Sequence, residues 1–181
     1  METYLKSFYA LNNSKSKNIL ISLVRKDDKF TPYLQVYSNK DGVRLTLAQY
    51  LELYNSCNEL FEYLDGRVPN TFLNLGTEEN QLFVTGIKSV CSMIGIKQLE
   101  DNRTKCICMA KSTFERLLDL KPLIVRLLNR YEQSMPDIME TARKVKAGEI
   151  LPDRFNMHGL DLHLLALELK LYSNGVTEEN Y

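Results

Sequence analysis

Tryptophan is absent from this 181-residue chain, histidine occurs only twice, and the formal charge sums to zero, with 23 Lys and Arg against 23 Asp and Glu. Each shortage excludes something. Zero net charge excludes a globally basic polyanion binder, although a locally basic surface stays open. The two histidines, His158 and His163, stand five residues apart, the wrong spacing for zinc ligation from one helical face. Five prolines and eight glycines are too few for a collagenous or low-complexity chain. No apolar run approaches the roughly 18 residues of a membrane-spanning helix, so no membrane partner is expected. The start, METYLKSFYALNNSKSK, is too polar for a secretory leader. The four cysteines (Cys57, Cys91, Cys106, Cys108) have no framework spacing. Reduced thiols and an intracellular protein of the nucleus or cytoplasm, not a secreted one, are therefore expected.

Nucleotide-binding glycine loops, nucleophile elbows and zinc-protease helices are likewise missing. Cys106 and Cys108 alternate on a strand and read as core, since two thiols fall short of the four ligands of structural zinc. No catalytic residue, cofactor or metal ion is expected, and the reading is non-enzymatic.

The zero net charge hides a pattern. Residues 1–50 hold eight cations against four acids, residues 51–66 hold none against four, and residues 151–181 hold two against five. A chain that separates charge in this way can offer one face to a polyanion while staying neutral overall.

Apolar periodicity outlines the elements. Residues 3–11 and 18–25 read as strands. Residues 32–38 alternate, with Leu34 and Val36 on one side and Tyr33, Gln35 and Tyr37 on the other. Asn39-Lys40-Asp41-Gly42 is a turn signal, and Val43 and Leu45 begin a fourth strand. At Thr46 the period changes from 2 to 3.6, giving a helix to about Leu64 with Thr46 and Gln49 as a capping box. The order then recurs: strands at 71–75, 81–87, 89–99 and 104–109, then a helix from near Ser112 with Glu115 as a second capping box. Pro122 should kink or divide that helix. A shift of 64 pairs Val43 with Ile107, Leu45 with Met109, Tyr50 with Phe114, Leu53 with Leu117 and Leu64 with Leu128, a repeat of pattern rather than of letters. A polar helix at about 136–147 and an apolar one at about 160–172 follow; in the latter Leu160, Leu164, Leu167 and Leu171 make a stripe that Leu162, Leu165 and Leu169 widen, and a helix this apolar should be buried on the chain's own sheet or on another subunit.

The expected fold is α+β: tandem ββββα repeats, with two antiparallel four-stranded sheets each followed by a helix, plus C-terminal helices. The units run 1–66 and 67–132, with a helical extension over 133–181, in one compact domain.

The segment Asp41-Gly-Val-Arg-Leu-Thr-Leu-Ala-Gln-Tyr50 resembles the strand-to-helix junction Gly-x-x-Leu-Thr-Leu-x-Gln-aromatic of the transcriptional positive-cofactor-four family. The second half keeps it loosely, as Ile107-Cys-Met-Ala-Lys-Ser-Thr-Phe114. Two such units in one chain are similar to the architecture of the plant Whirly proteins and the trypanosome mitochondrial guide-RNA-binding proteins. The likeness spans about residues 3–132. It implies a single-stranded DNA-binding, transcription-coactivator-like protein that serves replication, recombination, repair or transcription as a homo-oligomer, a dimer or tetramer. An RNA binder, or an oligomeric scaffold of the same fold that binds no nucleic acid, is the alternative.

Sequence-tolerant binding of a single strand needs cations spaced along a groove and flat rings on which bases stack. The candidates in the first half are Lys6, Phe8, Lys26, Lys29, Tyr33, Gln35, Tyr37 and Arg44. In the second half they are Lys88, Lys97, Arg103 and Lys105. Two placements are open for Tyr33 and Tyr37: an exposed stacking face, or a second packed side of the sheet with the hydroxyls at its rim.

Overall fold

A computed structural model describes residues 2–38, 41–68, 72–76, 81–88, 92–100, 103–149 and 154–174. The first four strands are β1 (Glu2–Ala10), β2 (Asn18–Lys26), β3 (Lys29–Ser38) and β4 (Asp41–Leu45). They form a four-stranded sheet in sequence order, and helix α1 (Leu47–Leu64) follows. A second sheet, again in sequence order, contains β5 (Phe72–Asn74), β6 (Gln81–Ile87), β7 (Met93–Glu100) and β8 (Arg103–Ala110). Helices α2 (Lys111–Asp119), α3 (Lys121–Gln133), α4 (Met135–Lys146) and α5 (Leu162–Ser173) complete the chain. The architecture is thus the expected α+β arrangement, with both sheets antiparallel, each followed by a helix, and further helices at the C-terminus.

Local chemistry explains most of the boundaries. Thr46 caps α1 by accepting from the Gln49 N–H at 3.3 Å, while the Gln49 side chain accepts from the Thr46 N–H at 2.9 Å. The capping box expected at Ser112 and Glu115 does not form: α2 begins one residue earlier, its N-cap is Ala110, and no side chain caps it. A backbone partner stands in, because the Lys111 N–H donates to the Ser92 carbonyl at 3.3 Å. Pro122 divides the predicted helix. It is the second residue of α3, where a missing amide hydrogen costs no intrahelical bond. The residues paired by the shift of 64 are all buried except half-buried Leu64, so the repeat of pattern is a repeat of core positions.

Contacts divide the chain into two compact units. The first contains residues 1–7, 21–32 and 126–181. Within it Tyr4 is fully buried, its ring 5.9 Å from Phe30 and 5.1 Å from Tyr172. Burial pushes the Tyr4 phenol well above its ordinary pKa. Leu5 has a positive φ of 52°, a conformation that a branched side chain adopts at a cost. Two helices pin it there: the Glu168 carboxylate accepts from the Leu5 N–H at 2.8 Å, and the Tyr131 hydroxyl donates to the Leu5 carbonyl at 2.6 Å.

Helix α5 corrects the sequence reading. Its buried side is Leu162, Leu165, Ala166 and Leu169. Leu164, Leu167 and Leu171 are 43%, 41% and 47% exposed, so of the central stripe only Leu160, which precedes the helix, is buried, while the flanking Leu162, Leu165 and Leu169 face inward. The helix is apolar nearly all round, and periodicity therefore could not choose its inner side. Asp161 fixes where the helix starts by accepting from the Leu164 N–H at 2.8 Å, and packing selects the inner side.

The second unit contains residues 8–20 and 33–125. Leu82, Val84, Ile94, Ile96, Ile107 and Met109 make one buried row across the second sheet. Gly86 identifies what covers that row: a Cβ there would lie 2.5 Å from the Tyr63 ring of α1. Gln98, fully buried in β7, reaches the edge strand β4. Its side-chain amide accepts from the Arg44 N–H at 2.9 Å and donates to the Arg44 carbonyl at 3.2 Å, as a fifth strand would. Replacing Gln98 with Leu strands both backbone groups and should cost about 1–3 kcal/mol. Tyr131→Phe, which orphans the Leu5 carbonyl, should cost about 1–2 kcal/mol. Urea unfolding midpoints equal to those of the parent would refute both assignments.

Candidate nucleic-acid interface

The register of β3 on β4 sets the first part of the site. Leu34 pairs with Leu45 and Val36 with Val43, all fully buried. Side chains alternate along a strand, so Gln35, paired with Arg44, and Tyr37, paired with Gly42, project from the other side together with Tyr33. Arg44 Nε donates to Gln35 Oε1 at 3.5 Å. Tyr33, Gln35, Tyr37 and Arg44 are all half-buried, between the two placements the sequence left open. Burial pushes the Tyr37 phenol above its ordinary pKa. Tyr37 lies across Gly42, where a Cβ would come within 2.6 Å of the tyrosine Cβ and 2.9 Å of Gln35 Nε2. Glycine opposite an aromatic lets the ring lie down on the neighbouring strand.

The second sheet carries a row that the sequence reading missed. Opposite the buried row, β6 presents Phe83 and Thr85, paired with Asn74 and Phe72 of β5 and with Lys97 and Gly95 of β7. Phe72 is 58% exposed and stacks on Phe83 with centroids 5.1 Å apart and planes tilted by 23°. Lys97, next to Phe83 across the strands, is exposed. The alternation of Gln81–Ile87 was the available signal: once Leu82 and Val84 are inward, Phe83 is outward.

The four candidate cations of the second half do not share this side. Lys97 does. Arg103 pairs with Glu100 and Lys105 with Gln98, which places both on the side of the buried row. Lys88 follows β6 and sits 4.2 Å over the Tyr63 ring of α1. Lys6, Lys26 and Lys29 are exposed and belong to the first unit, whereas Phe8, 60% exposed, belongs to the second. Cys106 and Cys108 are a correction. They are exposed and half-buried, on the same side as Lys97 rather than in the core. The neighbouring Ile107 and Met109 take the inward positions.

Within the second unit, then, two strand surfaces combine flat rings with a cation: Tyr33, Tyr37 and Arg44 on one, Phe72, Phe83 and Lys97 on the other. No carboxylate stands in either row among the described residues. Rings of this kind can stack bases, and the cations can neutralise phosphates. No family model, curated protein or solved structure matches the chain.

Gly42→Ala should drive Tyr37 and Gln35 off β4. The expected cost is about 1–3 kcal/mol, read by thermal or urea unfolding. A variant as stable as the parent would show that the ring does not depend on the bare strand beneath it.

Proposed function

We propose that this chain is a non-enzymatic, sequence-tolerant single-stranded DNA-binding protein supporting replication, recombination, repair or transcription. The observation that carries the reading is the pairing of solvent-reachable aromatic rings with Arg44 and Lys97 on carboxylate-free strand surfaces. Stacking on such rings contributes roughly 1–3 kcal/mol per base whatever the base, because every base has a π-face. The cations add a term that depends on salt and not on sequence. Preference for DNA over RNA rests on the similarity of Asp41–Tyr50 to the positive-cofactor-four junction.

A second reading is favoured by α5. Its Leu164, Leu167 and Leu171 leave an apolar side in water, which suits an oligomer and therefore also a scaffold that has kept the fold without binding nucleic acid. Self-association is compatible with both readings; salt dependence separates them.

Fluorescence anisotropy of labelled oligothymidine, titrated at several salt concentrations, is the test. The parent protein should bind and weaken as salt rises. Tyr33→Ala with Tyr37→Ala, and separately Phe72→Ala, should each weaken binding about tenfold or more, with circular dichroism reporting a folded chain. Arg44→Gln with Lys97→Gln should flatten the plot of log affinity against log salt by about 1.4, two contacts at about 0.7 each. No anisotropy change with the parent protein at low salt would sink the proposal in favour of the scaffold, and tighter binding of oligouridine would redirect it to RNA.

A further inference from the structure

Residues two apart on a strand share a side. Cys106 and Cys108 are such a pair on β8, opposite Lys97 and Gly95 of β7. Both thiols are free, and both project from the same side of β8 as Lys97. Gly95 places no side chain against Cys108, and even a Cβ built there would stay 3.7 Å from its Sγ. Ile87 Cδ1, 3.0 Å from that same position, gives the pair an apolar border.

Three chemical outcomes compete for two adjacent thiols. Direct closure to a disulfide is disfavoured, because Cα atoms two apart on a strand are separated by about 6.8 Å, the far limit of disulfide geometry. A structural zinc site needs four ligands, and among the described residues no His, Cys, Asp or Glu makes the pair a group of three. Two-coordinate binding remains. A sulfur–metal–sulfur bridge spans about 4.6 Å, twice a metal–thiolate bond of about 2.3 Å. Side chains two apart on a strand project in parallel, and rotation about their Cα–Cβ bonds brings the two sulfurs to that span. Soft thiolates select soft ions.

We propose that Cys106 and Cys108 form a two-thiolate site for a soft monovalent metal ion of the Cu(I) type. On binding, each thiol loses its proton to solvent and each sulfur forms one bond to the metal. No electron is transferred. The resulting bis-thiolate carries one net negative charge, and the Lys97 ammonium, on the strand position opposite Cys106, offsets it. That charge balance favours a monovalent ion held by two sulfurs. The site stands on its own geometry and does not depend on the nucleic-acid reading.

The test is anaerobic titration of the full chain with Cu(I) against a chromophoric Cu(I) chelator. The parent and a Cys57→Ser/Cys91→Ser variant should each hold one equivalent. Cys106→Ser and Cys108→Ser should each weaken it by more than about 100-fold, since one soft ligand cannot hold the ion alone. Lys97→Gln should weaken it roughly fourfold, the Coulomb effect of unit charges about 5 Å apart in water. Because Cys106 is exposed, Cys106→Ser carries the test even if Cys108→Ser perturbs folding. Retention of the equivalent by Cys106→Ser, or failure of the parent to take Cu(I) from the chelator, would overturn the assignment.

Discussion

The second unit depends on one hydrogen-bonded pair: the buried amide of Gln98 against the backbone of Arg44. Edge strand β4 offers an N–H and a carbonyl that water would otherwise satisfy, and a buried side chain of the second sheet takes both. An unpaired backbone group in such a place costs about 1–3 kcal/mol, so the pair specifies register as well as adding stability. With β4 held, Arg44 stands opposite Gln35, and Tyr37 lies over Gly42. The register of β4 on β3 sets the first row of the candidate interface, and the Gln98 bond supports β4 from its other edge.

The two rows share a design but differ in detail. In the first, two half-buried phenols flank Gln35, which accepts from the Arg44 guanidinium. In the second, exposed Phe72 stacked on half-buried Phe83 stands beside an ammonium, with two thiols on the next strand. Both owe their placement to antiparallel pairing, in which directly opposite residues project from the same side. The neutral chain can therefore present carboxylate-free surfaces: α1 bears Glu52, Glu59 and Glu62 exposed on a helix, away from both rows. Zero net charge and a locally favourable face are compatible, as the charge pattern indicated.

The failures of the sequence reading share a cause. Cys106 and Cys108 were read as core because two thiols fall short of a structural zinc site, yet Ile107 and Met109 hold the inward positions. On α5 leucines lie on every side, so the stripe with the best spacing was not the buried one. At Ser112 a favourable capping pair went unused: α2 starts at Lys111, whose N–H donates to the carbonyl of Ser92, just before β7. Phe72 and Phe83 went unnoticed because their proximity spans a loop and a register that no single segment encodes. Asn39 and Lys40 of the expected turn, and residues 89–91 of the expected long strand, lie outside the described residues.

By itself the sequence determined the order of strands and helices, the doubled pattern, the capping box at Thr46, the division at Pro122, and which side of β3 faces inward. All of these are local: each follows from a period of 2 or 3.6, or from the bonding needs of a few consecutive residues. Only the tertiary structure decided which cations share a side with which rings, which leucines of α5 face water, and that Gln98 completes β4. Those depend on register and on the partner that reaches a group first, and free energies of that kind are set by residues far apart in the chain.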